Sequence, residues 1–85
     1  MSNKWKELDD KLQRSFEFED FQTAFMFMTR VAFIAEHQQH HPNWKNEFNK
    51  VEFNLSTHDS DNKVTEKDRK LAASIDEIYE KFFQN

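Results

Sequence analysis

Imidazole is the side chain whose ordinary pKa lets it give and take protons near neutrality, and this 85-residue chain carries four of them. Three fall, with one carboxylate, in the run Ala35-Glu36-His37-Gln38-Gln39-His40-His41-Pro42; the fourth, His58, follows an alternating apolar segment over residues 51–57. Such a cluster offers general acid–base chemistry, one ring delivering a proton while another removes one. Pro42 disfavours helical geometry at His41, so a helix arriving from upstream has to end at the histidine run and release it into a turn. The rings of His40 and His41 can then diverge. His58 sits where a strand opens into a loop, a usual place for a functional side chain on a rigid scaffold. His37 and His41 have the i, i+4 spacing of a helical zinc site, which Glu36 and His58 could complete. However, the order Glu-His-x-x-His-His is not the zinc-protease signature, and Pro42 breaks the helix that would align the pair. No metal is expected. Taken alone, a His-His pair also suits an exposed turn, and His37 reads as a solvated helix residue.

The elements that must position these residues follow from periodicity. Leu12, Phe16 and Phe18 share one parity across residues 11–19, with Arg14 as the exception, which predicts a strand with one buried face. Residues 5–8, joined through Asp9-Asp10, supply its hairpin partner. Asp20 reads as the N-cap of a helix to about Gln38, whose apolar stripe is Phe21, Ala24, Phe25, Met28, Val31, Ala32 and Ala35; Phe27, Phe33 and Ile34 widen it. A helix this apolar is expected to pack on a sheet and to reach a second subunit. Residues 44–48 and 51–57 read as strands, with a tight turn at Asn49-Lys50 where the parity slips. After a polar loop over residues 59–63, Thr65 and Asp68 form a capping box with Asp in the usual Glu place. Leu71, Ile75, Ile78 and Phe82 mark one face of the helix that follows. The order β-β-α-β-β-α predicts an α+β fold of two layers, a four-stranded antiparallel sheet with both helices on one face. Residues 1–85 are expected to form a single domain.

Composition removes whole classes of function. Cys and Gly are both absent, which excludes disulfides, thiolate metal sites and the Gly-rich loops that cradle nucleotide phosphates. Turns must then be made by Asn, Asp, Ser or Lys. A net charge of −4, with twelve scattered Lys and Arg residues, argues against nucleic acid as a partner. Residues 1–7 lack the apolar stretch of a signal peptide and no segment has the length of a membrane span, so a cytoplasmic protein without membrane contact is expected. Ten Phe residues concentrate the apolar content in a few bulky side chains, and the core should be thin.

Three separated blocks carry a resemblance. They are Ala35-Glu36-x-x-x-His40-His41-Pro42-x-Trp44, then Asn49-Lys50-Val51-x-Phe53-x-Leu55-Ser56-Thr57-His58-Asp59, then Thr65-x-x-Asp68-x-x-Leu71-Ala72-x-x-Ile75. Together with Phe27-Met28-Thr29-Arg30-Val31-Ala32 upstream, they resemble the pterin-4a-carbinolamine dehydratase family over roughly residues 5–82. The pattern departs from the family in two places, lacking a helix before the first strand and a Gly in the loop over residues 59–64.

The resemblance implies a two-layer domain that converts a 4a-hydroxytetrahydropterin to quinonoid dihydropterin and water, in support of tetrahydropterin recycling. His40, His41 and His58 would line the pterin pocket as the catalytic residues, with Glu36, Trp44, Thr57 and Asp59 binding or orienting. Eliminating the hydroxyl requires one proton to reach the departing oxygen and another to leave a ring nitrogen, which imidazoles can supply without a metal, nucleotide or other cofactor. Within this reading His40 and His58 exchange the protons and His41 binds the substrate. Glu36 could hold an imidazole tautomer, Asp59 could do the same for His58, and Trp44 could wall the pocket. The resemblance further implies a homodimer or homotetramer, and it permits a pterin-dependent aromatic amino acid hydroxylase as a partner. It equally admits a non-catalytic role, a dimeric binding module or transcriptional cofactor docked on another protein. Asp59 also suits a simple loop-starting turn, Glu36 a surface carboxylate, and Trp44 a structural position.

Overall fold

The order of elements follows directly from where the chain alternates and where it repeats every three to four residues. A computed structural model describes residues 4–84. Strand β1 (Lys6–Leu8) pairs antiparallel with β2 (Lys11–Glu17), which pairs with β4 (Lys50–Leu55), and β4 pairs with β3 (Asn43–Glu47), giving the sheet order β1-β2-β4-β3. Helix α1 (Phe21–Gln38) connects β2 to β3, and α2 (Glu66–Ile78) follows β4. Leu12, Phe16, Val51, Phe53 and Leu55 point from the two central strands toward the helices and are buried. Both helices pack on that face, so the α+β, two-layer architecture read from the periodicity is the one observed.

Element ends differ from the periodicity reading by one or two residues. Strand β2 stops at Glu17, because Phe18 pairs outside the ladder, its N–H donating to the Asn49 carbonyl at 2.9 Å while Asn49 Nδ2 donates back to the Phe18 carbonyl at 2.8 Å. The β3–β4 turn falls at Phe48-Asn49 and not at Asn49-Lys50, since Glu47 and Lys50 still pair across the ladder. Phe48 takes a left-handed φ of 52°, an uncommon place for a bulky residue. The Asn46 amide holds that turn, donating to the carbonyls of Phe48 and Lys50 at 3.1 and 2.8 Å. Strand β4 ends at Leu55, and Thr57 instead makes an isolated bridge to Lys63.

Without glycine, the left-handed positions among the described residues are taken by Asp9, Asp10, Gln39, Phe48, Asp61 and Asn62. Four of the six are Asp or Asn, whose short polar side chains tolerate that geometry best.

The core is an aromatic stack. Phe16 lies 5.0 Å from Phe27 and 4.9 Å from Tyr79, and Phe18 lies 4.9 Å from Phe27 between ring centroids. Truncating a ring such as the fully buried Phe27 to Ala should cost about 3–5 kcal/mol. The inward seam of α1 is Ala24, Phe27, Val31 and Ala35, so Phe27 belongs to the stripe, whereas Phe21 and Phe25 face outward, each half exposed. Phe82 is also half exposed, contrary to its expected place on the buried face of the second helix. After Ile78 the chain widens into a π-turn (Tyr79–Phe83), closed by Gln84 N–H to the Tyr79 carbonyl at 2.8 Å. That turn sends Tyr79 and Phe83 to the core and leaves Phe82 outside under the Arg30 guanidinium.

Candidate active site

The histidine turn is built by the way α1 ends. Gln39 adopts the left-handed conformation (φ 54°, ψ 43°), the Gln39 N–H donates to the Glu36 carbonyl, and the His40 N–H reaches back to the Ala35 carbonyl, both at 3.1 Å. This is the Schellman arrangement, ordinarily made with Gly at the left-handed position. Here the Gln39 side chain supports it, Nε2 donating to the Glu36 carbonyl at 2.7 Å. The reversal sends the two histidines after it toward the loop that follows β4 and the start of α2.

His40 meets the fully buried carboxylate of Asp68, Nε2 to Oδ1 at 2.6 Å, and the His40 side chain is only 12% exposed. The other carboxylate oxygen, Oδ2, accepts from the Thr65 N–H at 2.9 Å and from the Thr57 hydroxyl at 2.8 Å. With the Thr57 proton spent there, the Thr65 hydroxyl donates to Thr57 Oγ1 at 2.5 Å, while Thr65 Oγ1 accepts from the Lys67 N–H at 3.3 Å. A buried carboxylate of this kind is stable only when its oxygens are satisfied. Because a carboxylate oxygen only accepts, His40 Nε2 donates in this bond, and Nδ1 is the ring nitrogen left for another partner.

The two other rings are held more loosely. His41 Nε2 lies 2.9 Å from Glu36 Oε1, both side chains being mostly exposed. The hydrogen bond and the charge of His41, with a smaller contribution from Gln39, hold the Glu36 carboxyl below its ordinary pKa. His58 opens a short 3₁₀ turn (His58–Ser60), and its Nδ1 lies 3.3 Å from the Asn62 amide oxygen. Because that oxygen can only accept, Nδ1 carries the proton and Nε2 is the free nitrogen. His40, His41, Thr57, His58 and Asp59, with Gln39, Ser56 and Lys67, line one cavity of about 270 Å³. That is close to the lower end of the roughly 300–1,000 Å³ usual for small-molecule pockets.

The expected site residues divide by position. His40, His41, Thr57, His58 and Asp59 meet at the cavity, and Glu36 borders it through His41. Trp44 is not among the lining residues; its ring lies against Phe53, 5.7 Å between centroids. The residue bonded to His58 is Asn62, not Asp59, because the loop coils back through two left-handed residues, Asp61 and Asn62. Asp68 and Lys67 are additions that the capping-box reading of this stretch did not suggest. Among the described residues, no three His, Asp or Glu side chains are placed to hold a metal ion, and no helix is long and apolar enough to cross a membrane.

Comparison with known proteins is consistent over most of the chain. The family model described as pterin 4 alpha carbinolamine dehydratase matches residues 1–78. A relative from Christiangramia forsetii, provisionally named a pterin-4-alpha-carbinolamine dehydratase, is 57% identical over 76 residues, spanning 89% of this chain and 77% of its own. One from Prochlorococcus marinus strain MIT 9515 with the same provisional name is 48% identical over 77 residues, 91% of this chain and 79% of its own. The crystal structure of a Brucella melitensis protein described as transcriptional coactivator/pterin dehydratase superposes with a TM-score of 0.83 at 45% identity, covering 89% of this chain and 82% of that one. A pterin dehydratase-like protein described as a RuBisCO assembly factor of the alpha-carboxysome superposes with a TM-score of 0.75 over 89% of each chain. At 23% identity that last likeness speaks for the fold alone.

Proposed function

The chain belongs to the pterin 4 alpha carbinolamine dehydratase family, and on that premise we propose that it removes water from a 4a-hydroxytetrahydropterin to give the quinonoid dihydropterin, in support of tetrahydropterin recycling. The observation that carries this reading is the convergence of His40, His41 and His58, from two chain-distant turns, on one small cavity. In the reaction the C4a–O bond breaks and the oxygen departs as water once a proton reaches it. The adjacent ring nitrogen loses its proton as the C=N bond forms. His40 takes that proton on Nδ1, and the Asp68 carboxylate stabilises the imidazolium that results. His58, exposed and held through Nδ1–H by the neutral Asn62 amide, acts in its doubly protonated form, delivering the other proton from Nε2 and taking one up again from solvent. His41, carried by Glu36, binds the ring system, and Thr57 acts through Asp68 to fix His40. The test is the decay of freshly generated carbinolamine with and without the protein, and then with His40→Ala and His58→Ala. Wild-type turnover by both variants would remove the assignment.

A second reading, a docking module, is supported by the outward face of α1, where Phe21, Phe25, Met26 and Phe33 are each at least half exposed. Exposed apolar area of this kind marks contact surfaces. It is compatible with catalysis and suits self-association into a dimer or tetramer, or the seating of a hydroxylase. Protein that fails to accelerate carbinolamine decay and binds no pterin, yet elutes as a complex, would leave docking as the function.

A further inference from the structure

Each imidazole at the cavity already has a partner within the chain: Asp68 for His40, Glu36 for His41 and Asn62 for His58. Two charged side chains lining the same cavity, Asp59 and Lys67, have none; among the described residues neither makes an ion pair or a side-chain hydrogen bond. Both are held at their roots. Asp59 lies in the 3₁₀ turn that opens with His58, and Lys67 lies in the first turn of α2, its N–H bonded to Thr65 Oγ1. A carboxylate and an ammonium that share a small cavity without meeting each other form a two-ended recognition element. The carboxylate only accepts and the ammonium only donates.

A pteridine ring with a 2-amino and a 4-oxo group displays the matching pattern along one edge. The amino group and N3–H are adjacent donors, and the 4-oxo oxygen beside them is an acceptor. We propose that Asp59 and Lys67 read this pyrimidinone edge, Asp59 accepting from the 2-amino group and N3–H and Lys67 donating to the 4-oxo oxygen. The inference rests on the dehydratase reading and specifies how the site chooses its ring. Charge-assisted hydrogen bonds of this type are the strong ones, and a site built around them rejects a ring that presents the wrong group. The edge so held is the one away from the ring bearing the C6 substituent, so these two residues select the bicyclic head and are indifferent to the tail.

The experiment is equilibrium binding of three commercial rings, pterin, lumazine and 2,4-diaminopteridine, to the wild-type protein and to Asp59→Asn and Lys67→Met. Lumazine replaces the amino donor with an oxo acceptor, and 2,4-diaminopteridine replaces the oxo acceptor with an amino donor and the N3–H donor with a ring-nitrogen acceptor. Wild type should bind pterin at least about tenfold more tightly than either analogue. Asp59→Asn should lose most of the preference over lumazine and part of that over 2,4-diaminopteridine, whereas Lys67→Met should keep the first and lose part of the second. Equal binding of all three rings by wild type, or variants that weaken every ring by one common factor, would overturn the assignment. Circular dichroism of each variant confirms that it is folded. Wild-type acceleration of carbinolamine decay is scored beside the binding: an active protein with no ring preference loses only the edge assignment, whereas an inactive protein that binds no pteridine loses the dehydratase reading with it.

Discussion

At the scale of single residues, the contrast between His40 and His58 is one of anchoring. His40 is almost buried and fixed by a carboxylate, whereas His58 is exposed and held by a neutral amide. Removing either ring by substitution with Ala should lower kcat by about 10² to 10⁴-fold, the usual contribution of a positioned acid or base, while His41→Ala should chiefly raise KM. In the proposed reaction Asp68 acts through His40, so its test needs a readout beyond activity. Asp68→Asn keeps the size of the side chain and replaces one acceptor oxygen by a donor, which sets an NH₂ group against either His40 Nε2–H or the Thr65 N–H. It should lower kcat by about 10- to 100-fold and displace the acid limb of the kcat–pH profile. A purely structural role for Asp68 would instead leave that profile in place at temperatures where the variant is folded. The three histidines were legible in the sequence because the Pro42 turn and the Thr57-His58 pair have a recognisable spacing. The contact of Asp68 with His40 was not, since Thr-x-x-Asp also satisfies a capping box and His40 is 28 residues away in the chain. Asn62 was hidden for a related reason: its approach to His58 depends on the left-handed residues of a loop with no periodic signal.

At the scale of elements, the ends of α1 carry two further expectations. Asp20 caps the helix by accepting from the Thr23 N–H at 2.8 Å, and its carboxyl is held below the ordinary aspartate pKa by hydrogen bonds from the Thr23 side chain and backbone. A carboxyl whose folded pKa is lowered stabilises the fold above its unfolded pKa and loses that contribution as pH falls through the lowered value. Asp20→Asn keeps a capping oxygen without the titration, so its melting temperature should fall less steeply than that of wild type between about pH 5 and pH 3. At the other end, Gln39 occupies a left-handed site at a conformational cost of about 1 kcal/mol, offset in part by its bond to the Glu36 carbonyl. Gln39→Gly should therefore be neutral to slightly stabilising in urea unfolding, by up to about 1 kcal/mol, whereas a β-branched Gln39→Val should destabilise. The helix bounds were readable because Asp20 and Pro42 bracket a clear period. The strand ends and the inward face of the chain beyond Ile78 were not, because pairing of Phe18 with Asn49 and the π-turn at Tyr79 are long-range or register-breaking events that alternation does not encode.

At the scale of the whole molecule, the thin aromatic core and the outer face of α1 share one cause. Ten Phe residues in 85 exceed what a single sheet face can cover, so Phe21, Phe25 and Phe33 remain outside. Self-association through that face would account for them, and Phe33→Glu should then shift the protein to a smaller species on a sizing column with analytical ultracentrifugation as the check; an unchanged mass would assign the contact elsewhere. The central claim, however, concerns the cavity, where three imidazoles from two turns face one space. Its most direct measurement is the time course of decay of freshly generated 4a-carbinolamine, followed by absorbance in the presence of wild-type protein, the His40→Ala/His58→Ala double variant, or buffer. The expected result is rapid loss with wild type and a rate with the double variant close to that in buffer. Equal decay in all three, or full acceleration by the double variant, would contradict it.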